Sequence, residues 1–156
     1  MTKERLIQRL GWYYPTERAH AFLTFPVILL VILYYHPFRN VVLLTYGMVV
    51  CIVVLYQGQH YWKLRLHRLK GLPVAQDQAL RFFRRSKGWN VMLILCMVPI
   101  MIAELYLDRR KPCFQEMFLW GALTNLFAIL EHVNYYHVQL MVDNMYDVRI
   151  FTGTRA

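Results

Sequence analysis

The chain has 156 residues, of which 58% are hydrophobic and only 17% are Asp, Glu, Lys or Arg. Soluble domains usually carry about 25% charged residues, so this composition disfavours a soluble protein and favours a single polytopic membrane domain covering residues 1–156. The formal net charge is +9. In a membrane protein such an excess first indicates orientation and contact with anionic lipid headgroups, and nucleic acid is not predicted as a partner.

The first residues predict a short helix ahead of the membrane. Leu6, Ile7, Leu10 and Tyr14 are spaced for one face of a helix, which we interpret as a helix lying in the membrane interface. A frayed terminus is the alternative. The segment carries several charges and no continuous apolar core, so it does not resemble a cleavable signal peptide.

Four apolar stretches follow, each close to the ~20 residues that a transmembrane helix needs. They cover residues 19–35, 41–62, 89–107 and 117–140. All 4 tryptophans lie near an end of one of these stretches, where aromatic belts form. Buried helices of a soluble bundle are the alternative, but four such runs leave too little polar surface to cover them. The sequence therefore predicts an all-α integral membrane protein, a bundle of four transmembrane helices.

The basic residues predict how this bundle is oriented. They concentrate before the first span, in the connection between the second and third spans, and in the C-terminal tail, whereas the other two connections carry Arg39, Arg109, Arg110 and Lys111. The positive-inside rule then places both termini and the basic connection in the cytoplasm. We expect a multi-pass protein of the bacterial inner membrane, since no organelle signal is present.

The basic cytoplasmic segment, residues 63–88, is a predicted lipid- or partner-binding surface. Gly71 and Pro73 should break the helix there, with a short helix starting at Pro73. The simplest interpretation is contact with anionic headgroups, worth about 1 kcal/mol per basic residue. Docking of a cytoplasmic protein partner is the alternative. The basic residues concerned are Lys63, Arg65, Arg68, Lys70, Arg81, Arg84, Arg85 and Lys87.

Polar side chains at membrane depth are the strongest functional signal in the sequence. On the fourth predicted helix, spacings of seven and four residues bring four polar side chains close to one line: Asn125, His132, Gln139 and Asp143. Glu131 and Asn134 point in other directions. Such groups are costly in a bilayer and mark either interhelical hydrogen bonds or an ion or proton path. The line would then face a neighbouring helix or a water-filled axis in a homo-oligomer.

The same segment does not predict a metal site. Zinc peptidases place two histidines four residues apart, whereas "EHVNYYH" places His132 and His137 five apart. The histidine clusters and GxSxG pattern of membrane enzymes are also missing. We therefore expect no enzyme activity, no metal and no cofactor. The alternative is a redox subunit that holds haem or metal between His60 and His132.

These features favour a small inner-membrane protein that works as a homo-oligomeric pore- or channel-like component or perturbs the membrane. A second interpretation is a membrane anchor that recruits a cytoplasmic partner through the basic segment.

Overall fold

A computed structural model describes residues 3–107 and 114–137, and these are almost entirely helical. The all-α prediction is therefore confirmed for the described part of the chain. The first helical run combines two α-helices through a single π-helical turn. The helices are α1 Lys3–Ala19, a π turn at His20–Thr24, α2 Phe25–Tyr35, α3 Val42–Leu69, α4 Gln76–Leu107 and α5 Phe114–Tyr136.

Three helical runs are long and apolar enough to cross a membrane. These are Lys3–Tyr35, Val42–Leu69 and Gln76–Tyr106. The predicted fourth span corresponds to α5, which carries Asn125, Glu131 and His132 and is not among the three. Large apolar side chains cover the outside of the bundle; Leu30 is 67% exposed and Leu95 63%. Apolar surface on this scale suits contact with lipid and not with water.

Helix α3 forms the centre of the bundle. Its most apolar stretch is 61% buried, compared with 11% for the span in α4. The principal core cluster contains Val50, Cys51 and Val54 of α3, together with Met97 of α4 and Ala128 of α5. The other helices surround α3, so their outward faces are left to the surrounding medium.

Small residues let α3 and α5 approach each other closely. A Cβ atom added at Gly47 would lie 2.6 Å from Nδ2 of Asn125, and one added at Gly121 would lie 3.1 Å from the backbone nitrogen of Leu44. Gly58 of α3 lies against the ring of Tyr135. Close approach through small residues is a common way for helices to associate in membranes.

The N-terminal helix packs on protein instead of lying free in the interface. Leu10 is buried in a cluster with Trp62 and Leu66 of α3, and Leu6 and Tyr14 pack against the same cluster. The apolar face recognised in the sequence is therefore real, but its partner is the second half of α3. The same packing holds α1 next to α5, where Tyr135 hydrogen-bonds Glu17.

The π turn lies directly before Pro26. The backbone N–H of Phe25 donates to the carbonyl of His20, five residues earlier. Proline has no N–H and its ring clashes with the carbonyl four residues before it, so a helix must adjust near Pro26. A π turn is one such adjustment, because it widens the helix by one residue.

Helix α3 ends in the basic segment by a glycine motif. Gly71 has φ +72°, and the N–H of Leu72 donates to the carbonyl of His67 at 3.0 Å. This is the Schellman arrangement, in which a left-handed glycine closes the helix end. Helix α4 then starts at Gln76 and not at Pro73, and it continues without a break to Leu107. The predicted short cytoplasmic helix and the third span are thus a single helix.

The start of α3 is capped from another helix. Its own N-cap residue, Val41, makes no side-chain hydrogen bond. Instead, the backbone N–H of Leu43 donates to Oε1 of Glu104 in α4 at 2.9 Å. A carboxylate at a helix N-terminus satisfies a free N–H and interacts well with the helix dipole.

Candidate functional site

Residues 131–136 of α5 present polar groups to two different neighbours. Glu131 and Tyr135 are four residues apart and face α1. Tyr135 hydrogen-bonds Glu17 of α1, and Glu131 lines the same cleft as Glu17. His132 and Tyr136 are also four apart and face α3 and α4. Residues four apart share one face of a helix, so α5 contributes to two polar centres at the same height.

The first centre is a hydrogen-bonded group of Gln57, Asn90, His132 and Tyr136, which we call the amide network. Nε2 of Gln57 donates to Oδ1 of Asn90 at 3.0 Å, and Nδ2 of Asn90 donates back to Oε1 of Gln57 at 2.7 Å. The hydroxyl of Tyr136 donates to the same Oε1 at 2.6 Å. Nδ2 of Asn90 also lies 3.4 Å from Nδ1 of His132.

The amide network is closed and electrically neutral. Asn90 is 0% exposed and Gln57 5%, and their amides satisfy each other in a reciprocal pair. The contact with Asn90 fits the tautomer of His132 that carries its proton on Nε2, because Nδ1 can then accept a hydrogen bond from Nδ2 of Asn90. Fully paired polar groups of this kind hold helices in one register, and here they join α3, α4 and α5.

The second centre is a cleft of ≈ 410 Å³ between the N-terminal helical run and α5, which we call the carboxylate cleft. Two acidic side chains, Glu17 and Glu131, line it from opposite helices. Four of the other eight lining residues are aromatic, and no Lys or Arg lines the cleft. The aromatic residues are Trp12, Tyr13, Phe25 and Phe127.

The two carboxylates are only partly paired. Oε1 of Glu17 accepts a hydrogen bond from the Tyr135 hydroxyl at 2.5 Å. Oε2 of Glu17 and Oε2 of Glu131 are buried and have no hydrogen-bond partner, and the same holds for the indole nitrogen of Trp62. Buried carboxylate oxygens without donors carry a large desolvation cost. A proton or a bound cation would offset that cost.

The π turn adds polar groups to the rim of the cleft. His20 and Thr24 both line it, and Nδ1 of His20 lies 3.2 Å from the Thr24 hydroxyl. Thr16, one helical turn before His20, also lines the cleft. Its hydroxyl donates to the carbonyl of Trp12 at 2.9 Å. Single π turns occur often at functional sites because they redirect side chains locally.

The predicted polar line of α5 lies inside the protein. Nδ2 of Asn125 donates to the carbonyl of Leu43 at 2.9 Å and to that of Gly121 at 2.7 Å. His132 belongs to the amide network, so both residues face neighbouring helices of the same chain. Asn134 is half-buried on α5, and Gln139 and Asp143 lie outside the described residues.

The histidines of the haem alternative have different neighbours. The ring of His60 lies 5.1 Å from that of Phe82, whereas His132 stacks on Tyr136 at 4.9 Å. Within residues 3–107 and 114–137, no group of three or more His, Cys, Asp or Glu is placed to hold a metal ion.

The predicted basic residues lie on the last turns of α3 and along the first part of α4. Arg68, Lys70, Arg81, Arg84 and Arg85 are exposed. Lys63, Arg65 and Lys87 are half-buried. Of these eight residues, only Arg65 and Arg68 line the groove described below.

Sequence reasoning missed Glu17, Gln57, Asn90 and Tyr135. Gln57 was the only one with a local signal, because an amide inside a long uncharged apolar stretch needs a partner in a membrane. The partners lie on other helices, and a single sequence does not show which helices meet. Comparison of the chain with protein-family models, with curated proteins and with solved structures gave no match.

Proposed function

We propose that this protein binds cations in the carboxylate cleft and works as a channel- or carrier-like component of a membrane. The observation that carries the proposal is the pair Glu17 and Glu131, which line one cleft with a buried, unpartnered oxygen each. Ionisable side chains inside membrane proteins are costly and typically line ion or proton pathways.

The chemistry of the lining favours a cation over an anion or a neutral solute. The cleft has two acidic groups and no Lys or Arg, with His20 at its rim, so its potential is negative when both carboxylates are ionised. Aromatic faces add to this preference because the π systems of Trp, Tyr and Phe attract cations. The volume of ≈ 410 Å³ exceeds that of a bare metal ion, given that a water molecule takes about 30 Å³. A hydrated ion or a small organic cation would fit.

The cleft is a better candidate for a pathway than the polar line of α5. Asn125 already bonds two backbone carbonyls, and His132 contacts Asn90. A water-filled axis lined by these residues would require those contacts to break. The carboxylate cleft is built from one chain, so homo-oligomerisation is not needed to form it.

Cation flux into liposomes tests the proposal. Glu17→Gln and Glu131→Gln keep the side-chain shape and remove the charge. Loss of a charge-assisted contact should reduce flux about tenfold or more. Glu116→Gln is the matched control, because Glu116 is exposed on the same helix as Glu131, and its flux should stay within about twofold of the parent.

Equal reconstitution of all variants must be checked by their yield in the vesicles. If Glu17→Gln and Glu131→Gln conduct like the control, the carboxylates do not bind the transported cation and the proposal fails. A loss of flux in Glu116→Gln of similar size would also count against it, since it would indicate a general effect of surface charge.

The anchor function has separate support in the exposed arginines of α4. Arg81, Arg84 and Arg85 are exposed and make no ion pair within the part of the chain that the structure describes.

A further inference from the structure

A second cavity lies where α3 leaves the apolar stretch and α4 begins. It has a volume of ≈ 280 Å³ and is amphipathic; we call it the basic groove. Arg65 and Arg68 of α3 line one side, and Leu80 and Phe83 of α4 line the other. No acidic residue is among its lining residues, so the groove combines uncompensated positive charge with apolar surface.

Arg65 is held in place but keeps donors available. Nη1 of Arg65 donates to the Tyr61 hydroxyl at 3.4 Å, and its guanidinium lies 5.9 Å from the ring of Trp62. Neither Arg65 nor Arg68 makes an ion pair with any described residue. A planar guanidinium with free N–H groups matches the oxygens of a phosphate better than an ammonium does.

The position of the groove along α3 matches the edge of a bilayer. From Tyr61 to Arg68 the helix rises about 10 Å, and one headgroup layer is roughly 5–8 Å thick. Trp89 of α4 is 60% exposed, as expected for a residue at a membrane interface, whereas Trp62 is buried against α1. The arginines therefore lie at headgroup depth when α3 spans a membrane.

The apolar side of the groove distinguishes a lipid from a free phosphate. Leu80 is 60% exposed and Phe83 is half-buried beside it, so a ligand could still cover apolar area here. An inorganic phosphate would contact the arginines and leave this surface uncovered. An acyl chain would cover it, which adds a favourable hydrophobic contribution.

We propose that the basic groove is a binding site for an anionic phospholipid, whose phosphate contacts Arg65 and Arg68 and whose acyl chain lies along Leu80 and Phe83. The site is separate from the carboxylate cleft, so it does not depend on cation binding. It makes the basic segment a selective lipid site in addition to a diffuse positive surface.

Native mass spectrometry of the delipidated chain in neutral detergent tests this site, with phosphatidylglycerol or phosphatidylcholine added. The parent chain should retain phosphatidylglycerol about tenfold better than phosphatidylcholine. Arg65→Gln with Arg68→Gln should lower retention of phosphatidylglycerol about thirtyfold, as expected for two basic contacts at the membrane surface. The matched control is Arg84→Gln with Arg85→Gln, which removes the same charge outside the groove lining and should change retention less than twofold.

A second variant separates the groove from the charge. Ala79 also lines the groove, so Ala79→Trp should fill it while leaving both arginines in place, and phosphatidylglycerol should be lost. The proposal is overturned if both double variants weaken retention equally, if Ala79→Trp retains the lipid, or if the parent shows no preference for the anionic lipid. Displacement of the lipid by an equal concentration of inorganic phosphate would likewise overturn it, because the site would then recognise phosphate alone. Far-UV circular dichroism of each variant verifies that its helices are intact.

Discussion

Replacing Asn90 by leucine should destabilise the bundle by about 2 kcal/mol. The change keeps the number and branching of the side-chain heavy atoms and removes three contacts, two with Gln57 and one with His132. Hydrogen bonds between helices in a membrane contribute about 0.6 kcal/mol each on average. The residue is 0% exposed, so no water can replace the lost partners.

The free energy of unfolding can be measured by titration with dodecyl sulfate in mixed micelles. Gln59→Leu is the matched control, because Gln59 lies on α3 and is also buried but makes no hydrogen bond within the described residues. Its substitution should cost much less than Asn90→Leu. Combining Asn90→Leu with Gln57→Leu completes a double-mutant cycle, which should show a coupling of about 1 kcal/mol for the two reciprocal bonds. Zero coupling, or equal costs for Asn90→Leu and the control, would refute the reasoning.

Two further predictions use the same unfolding assay. Gly47→Ala should cost about 1–3 kcal/mol, since the added methyl would lie 2.6 Å from an Asn125 side chain that two hydrogen bonds hold in place. Gly88→Ala is the control, because a methyl added there has nothing within 4 Å, and it should be neutral or stabilising. Equal costs for the two variants would contradict the packing argument. Glu104→Ala should cost about 1 kcal/mol because it removes the acceptor for the Leu43 N–H. Glu104→Gln should cost less, since an amide oxygen can still accept that bond, and a larger loss in the glutamine variant would be inconsistent with capping.

The helices were predictable because their signal is local. Apolar stretches of membrane length follow one another along the chain, and turns such as the one at Gly71 stand out between them. The extent of each helix was less predictable. Residues 76–88 join the third predicted span in a single helix, and residues 3–18 join the first through the π turn, although Pro15 lies inside α1. Several charged residue types are good helix formers, so the change from charged to apolar sequence does not mark a helix end.

The polar centres were harder to predict because their members come from distant parts of the chain. Glu131 was recognised as a polar group at membrane depth, but its neighbour across the cleft, Glu17, lies in a charged segment where a glutamate is ordinary. Gln57 and Asn90 are single amides on two different helices, and nothing in the local sequence links one to the other. The reciprocal pair that they form depends on α3 and α4 meeting at that height, which packing decides and local sequence does not.

The π turn at His20–Thr24 sets the angular phase between the two halves of the N-terminal helical run. Each residue of an α-helix advances the side-chain direction by about 100°, so accommodating one extra residue in a turn rotates everything before it relative to everything after it. With that offset, Leu10 faces α3 and Glu17 faces Tyr135, while Leu30 of α2 points outward. If the turn were an ordinary α-helical turn and α2 kept its position, α1 would be rotated. Glu17 would then point away from Tyr135. A single residue of helix length therefore decides whether the two carboxylates share one cleft.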